Sequence, residues 1–90
     1  MMQDEVVLGL KTLLAERLRV PPARAQALEL DTPLLQGGLG LDSLDCVELT
    51  MGIEETFGVT FDDSVEDWMQ YFICLRTLSQ LVMMAKGEPV

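Results

Sequence analysis

The chain has no histidine, and only six of its residues are lysine or arginine. The first absence removes the commonest general base and the commonest neutral metal ligand, so no serine here has an imidazole to activate it. The second removes the basic footprint of a protein that binds phosphate backbones. Between Arg24 and Arg76 there is no cation in the sequence, and that interval holds Glu29, Asp31, Asp42, Asp45, Glu48, Glu54, Glu55, Asp62, Asp63, Glu66 and Asp67. With a formal net charge of −9, the chain repels nucleic acid and anionic membranes. The acids either attract proteins with basic patches or serve only as a solvated surface. Cysteine is sparse too. Cys46 and Cys74 are too few for a disulfide framework, and no CxxC or Cys/His spacing suggests zinc. No apolar run approaches the roughly 18 residues of a membrane span. The acidic start MMQDE is unlike a secretory leader, which begins basic. The expectation is a folded, cytoplasmic protein.

What is present is apolar and helical. An apolar content of 49% argues against disorder, and a chain of 90 residues is expected to form one domain over 1–90. A first helix is predicted over about Asp4 to Leu18, with Val6, Val7, Leu10, Leu13, Leu14 and Leu18 at three- and four-residue steps. Pro21 and Pro22 should stop it. A long connection then reaches about Leu41. Ala23 to Leu28 form a helical turn in it, and Leu30, Leu34 and Leu35 pin it to the core. A loop this long in so small a domain is functional or mobile.

A second helix is predicted from Ser43 to Phe57, with Gly58 as its stop. A third begins at Asp63 or Ser64, where Asp63-x-x-Glu66 resembles a capping box. It carries Val65, Trp68, Met69, Phe72 and Ile73 on one stripe. A fourth opens at Thr77 with Gln80 three residues on, buries Leu78, Leu81, Val82 and Ala85, and ends at Gly87. The fold class expected is all-α: a small four-helix bundle with a long loop between helices 1 and 2. Asp62 and Asp63 lack the twelve-residue loop of an EF-hand. The glycines at 37, 38 and 40 lack the GK[ST] ending of a phosphate-binding loop.

The second helix has two apolar faces. At about 100° per residue, Cys46, Leu49, Thr50, Ile53 and Phe57 fall on one side, which should face the bundle. Leu44, Val47 and Met51 fall opposite, interleaved with Glu48 and Glu55 and flanked by Asp45. One apolar stripe is the rule for a surface helix. The second either packs under the long loop or is a docking strip rimmed by acids, suited to a partner with a greasy groove and basic edges.

Ser43 stands at the start of this helix, in GGLGLDSLDCVEL. Either Ser43 or Asp42 can cap the first turn, and Asp42 suffices alone. Without a base the Ser43 hydroxyl has no catalytic role of its own. It is a helix cap, or a group on which another protein does chemistry.

The stretch GGLGLDSLDCVELTMGIEETFGV resembles the Asp-Ser-Leu region and second helix of acyl carrier proteins, and LELDTPLLQGGLG resembles the loop before it. The resemblance implies that Ser43 receives 4′-phosphopantetheine from coenzyme A through a separate phosphopantetheinyl transferase. That enzyme brings its own base and metal and leaves a phosphodiester. The arm's thiol then carries acyl groups as thioesters, in fatty-acid, polyketide or related biosynthesis. Asp42 and Leu44 match the motif's flanks and help position the transferase. Asp45, Val47, Glu48, Met51 and Glu55 match the recognition helix, which docks acyl-transferring and acyl-processing enzymes with basic patches. The protein so implied is a monomeric carrier, not an enzyme, with no nucleic-acid or membrane partner. Departures from the family pattern are Leu41 at a position often smaller, Gly52, which costs about 1 kcal/mol of helix propensity relative to alanine, and an aromatic third helix with Trp68, Tyr71 and Phe72. The last points to a specialised carrier, in which Trp68 either lines a shelter for the acyl chain or simply fills the core. Two other readings stay open: an unmodified helical adaptor that binds through Leu44, Val47 and Met51, and an amino-acyl or peptidyl carrier.

Overall fold

Helix α1 (Gln3–Arg17) places Asp4 and Glu5 in its first turn and Arg17 in its last, the arrangement the helix dipole favours. Its Val6, Leu10, Leu13 and Leu14 are buried. The turn that ends it is made by Arg19, whose φ of 58° is left-handed and returns the Val20 amide to the Leu14 carbonyl at 3.1 Å. The prolines therefore do not stop α1. They start the next element, α2 (Pro22–Ala27), because proline at the first helical position gives up an amide that has no partner there anyway. The computed structural model describes residues 2–35, 37–61 and 69–87.

The connection from α2 to the next helix is stitched down by backbone hydrogen bonds. Leu34 donates to Ile73 O at 2.8 Å, Arg76 to Leu30 O at 3.0 Å, and Leu41 to Leu34 O at 3.0 Å. Leu34 is fully buried, and Leu30, Leu35 and Leu39 pack on the core. The loop also closes on itself, with Leu39 donating to Pro33 O at 3.2 Å. Gly38 lies inside that closure: a Cβ there would sit 1.7 Å from the Pro33 carbonyl oxygen, so no other residue fits. Asp31 and Arg76 clasp the same junction through two bonds of 2.8 and 3.0 Å. Hydrogen bonding to that guanidinium holds the Asp31 carboxyl below its ordinary value.

Helix α3 (Ser43–Phe57) has the expected bounds and ends at left-handed Gly58. Its Cys46, Leu49, Thr50, Ile53 and Phe57 are all buried, with the Thr50 hydroxyl donating to the Cys46 carbonyl at 2.8 Å. The start expected for a third helix at Asp63 or Ser64, with Glu66, Val65 and Trp68, lies outside the described residues, as does the Asp62–Asp63 pair. Met69–Phe72 form a 3₁₀ turn. With three residues per turn and an extended Cys74 after it, Phe72 points inward. Ile73, expected on the core stripe, is 54% exposed.

The last helix, α4 (Leu75–Ala85), begins two residues before the position expected from Thr77 and Gln80. Cys74 is its N-cap, and Thr77 is the third helical residue of a Cys74–Thr77 capping box. The Thr77 hydroxyl is the versatile partner there: it accepts from the Cys74 amide at 3.3 Å and lies 2.9 Å from the Tyr71 carbonyl as donor. Leu78, Leu81 and Val82 are buried as expected, whereas Ala85 is exposed. The helix closes before Gly87, whose φ is 77°. Helix α1 packs against α2, α3 and α4, so the described elements form an all-α bundle around one hydrophobic cluster.

Candidate functional site

Asp42 occupies the N-cap of α3 in extended conformation. Its Oδ1 accepts from the Asp45 amide at 2.9 Å, and Asp45 Oδ2 accepts from the Asp42 amide at 3.2 Å. The two carboxylates thus satisfy two otherwise free amides reciprocally. Ser43, the first residue of the helix, takes no part in the cap and is exposed. Among the described residues nothing hydrogen-bonds its hydroxyl, and its place in the first turn puts it at the positive end of α3, where an anion is favoured.

The outer face runs away from that point. Leu44 is 78% exposed, Val47 41% and Met51 48%. The stripe read from the sequence is therefore open to solvent and not packed under the loop. Asp42 and Asp45 lie at its head, Glu48 and Glu55 along its flank. The structure brings all eight sequence-identified residues, Asp42, Ser43, Leu44, Asp45, Val47, Glu48, Met51 and Glu55, onto one helix and its cap.

One participant was not anticipated. Arg17, from the last turn of α1, reaches the same flank. Its Nη1 lies 3.2 Å from Glu48 Oε1, and its Nη2 binds Glu55 Oε2. Gly52 sits between those glutamates, on the same face at steps of four and three. A Cβ on it would lie 2.9 Å from Arg17 Cδ and 2.9 Å from Leu13 Cδ2. The glycine that costs helix propensity is thus the seat of the arginine stem. A bare position flanked by two acids on one helical face was the available signal; the identity of the cation was not in it.

Cys46 lies on the inner face of α3, fully buried. Burial above all, and then the charges of Asp45 and Asp42, push its thiol up to about 11, so it stays protonated and inert near neutrality. Among the described residues no cluster of three or more acids or cysteines could hold a metal ion, and no helix is long and apolar enough to cross a membrane.

Residues 9–82 match the family model described as "Phosphopantetheine attachment site", a span that runs from the middle of α1 through α2 and α3 to most of α4. The chain belongs to the acyl carrier protein family. It is 43% identical over 60 residues to an acyl carrier protein of Treponema pallidum (strain Nichols), covering 67% of this chain and 72% of the relative. It is 40% identical over 60 residues to one from Campylobacter hominis, covering 67% and 71%. A third, from Campylobacter jejuni subsp. doylei, is 36% identical over 73 residues, covering 73% and 90%. The family makes this chain a carrier rather than an enzyme, with 4′-phosphopantetheine as its covalent prosthetic group. An exposed hydroxyl at the positive end of a helix, freed from capping by the residue before it, fits that group.

Proposed function

We propose that Ser43 is the attachment residue and that the chain, as one domain over 1–90, carries acyl intermediates for separate enzymes of fatty-acid, polyketide or related biosynthesis. The observation that carries this reading is the Asp42–Asp45 box. It supplies the side-chain cap of α3 without Ser43, so the serine can be converted to a phosphodiester with the cap left in place. In the attachment step the Ser43 oxygen bonds to the pantetheine-bearing phosphorus of coenzyme A. The bond from that phosphorus to the bridging oxygen of 3′,5′-ADP breaks, and the serine proton passes to a base on the transferase. Once bound, the arm supplies a thiol that holds acyl groups as thioesters.

Asp42 and Leu44 flank the serine and orient it in the transferase. Asp45, Val47, Glu48, Met51 and Glu55 form the face that acyl-transferring and acyl-processing enzymes share, with apolar contact along Val47 and Met51 and charge at the rim. The carrier works as a monomer in the cytoplasm, and its net charge of −9 steers it toward basic surfaces and away from nucleic acid and anionic membranes. Intact mass after incubation with coenzyme A and a broad-range phosphopantetheinyl transferase tests the assignment. The native chain should gain one phosphopantetheine and Ser43→Ala none. An unchanged native mass would favour an unmodified adaptor, and an adduct on Ser43→Ala would move the attachment elsewhere.

A further inference from the structure

The acidic interval between Arg24 and Arg76 contains no cation in sequence, but the fold supplies one from outside it. Arg17 is held on α3 at three points: a 3.2 Å contact to Glu48, a contact to Glu55, and its stem over Gly52. A planar guanidinium can serve two separated carboxylates at once, which an ammonium cannot do with fixed geometry. With its side chain only 27% exposed, Arg17 is a seated part of the face. The other end of α3 differs. Among the described residues no cation pairs with Asp42 or Asp45, whose partners are each other's backbone amides. The outer face is therefore electrostatically split, with two acids sharing one cation on its C-terminal flank and two uncompensated acids beside Ser43.

We propose that Arg17 is a specificity-determining residue of the docking face. It directs the basic groups of a partner to the Asp42–Asp45 end and selects against partners that need a cation between Glu48 and Glu55. Such a partner would meet a like charge already in place and would have to displace it. A partner that sets its cations near Ser43 and an apolar side chain against Val47 and Met51 meets no such opposition. This rests on the reading of α3 as the docking face given above.

The test is the association rate of the full chain with a phosphopantetheinyl transferase that has a basic docking surface, by stopped flow at low and moderate salt. Variants are Asp45→Asn, Glu48→Gln, Arg17→Gln, the Arg17→Gln/Glu48→Gln pair, and Arg24→Gln as a control of equal charge change on exposed α2. Glutamine removes the charge but puts its amide group at the level of the arginine Cδ and Nε over Gly52, and asparagine can still accept in the cap; thermal melts check that each variant keeps the fold. Asp45→Asn should slow association roughly 3-fold at low salt, a size typical of one steering charge. Glu48→Gln should have little effect while Arg17 is present and slow association roughly 3-fold once position 17 is glutamine. Arg17→Gln should accelerate association more than Arg24→Gln does. If Glu48→Gln slows association equally in both backgrounds while Asp45→Asn remains effective, the docking face stands and the role given to Arg17 is wrong. If no acid matters in either background, α3 is not the docking face and both readings fall.

Discussion

Leu49 and Met51 are two residues apart on α3, and both are large, flexible and apolar. Leu49 is fully buried in the core cluster, while Met51 is about half exposed on the opposite side. The difference shows how one helix divides its work. The inner face, Cys46, Leu49, Ile53 and Phe57, has its neighbours supplied by the same chain, so its residues are answerable to packing. The outer face, Leu44, Val47 and Met51, has no partner within the described residues and no reason in folding to be apolar. A free chain gains nothing from exposing these groups to water, and the docking role proposed for the strip accounts for them.

The comparison can be broken most forcefully by truncating one residue of each face. Leu49→Ala should lower stability by about 2–5 kcal/mol, since it removes buried carbon and leaves a cavity. In a domain of this size that is a large part of the total. Met51→Ala should change stability by no more than about 0.5 kcal/mol, yet speed dissociation from a docked enzyme. Denaturant melts and dissociation kinetics on both variants give the check. A Met51→Ala protein as unstable as Leu49→Ala would mean that the outer face also serves the fold.

A smaller contrast lies within the first turn. Asp42→Ala removes the cap and should cost about 1 kcal/mol, whereas Ser43→Ala should leave the melting temperature unchanged while abolishing modification. Equal losses in the two variants would make Ser43 a co-cap and weaken the case that it is free for attachment.

The two faces, the bounds of α3 and the position of Ser43 were legible in the sequence because each depends on local periodicity or on one strong punctuation residue, Gly58. Where the reading missed, the deciding physics was not local. Thr77 with Gln80 three residues on reads as the capping box that opens α4; the structure uses Cys74 as the N-cap and turns the Thr77 hydroxyl back toward it. Ile73 was assigned to the core on a 3.6-residue period, but the chain there is 3₁₀ and then extended, which rotates it outward. Pro21 and Pro22 read as a stop for α1 and turned out to begin α2, the stop being Arg19. Arg17 was least legible of all. Thirty-one residues separate it from Glu48, and no spacing rule connects the end of one helix to the flank of another.

The smallest effect expected concerns the inner face at high pH, where Cys46 is the titratable group. Its thiol has an ordinary value of 9.0 and is pushed up to about 11 in the fold, by burial first and then by the charges of Asp45 and Asp42. Between those values the unfolded chain has lost the thiol proton and the folded chain has kept it, so the folded state binds more protons. Stability must then fall as pH rises. The contribution is fully present below pH 9 and is lost progressively up to about pH 11. Near pH 9 the loss is only about half a kcal/mol, and it grows above that. Cys46→Ala should be less stable than the native chain at pH 7, because it removes buried volume, but its stability should decline less steeply above pH 9. Other groups titrate in the same range and do so in both proteins, so the difference in slope isolates the thiol. Denaturant melts at half-unit steps from pH 7 to 10.5 measure it. Parallel curves would mean that Cys46 ionises as easily in the fold as outside it, and that the inner face of α3 is wetter than its packing implies.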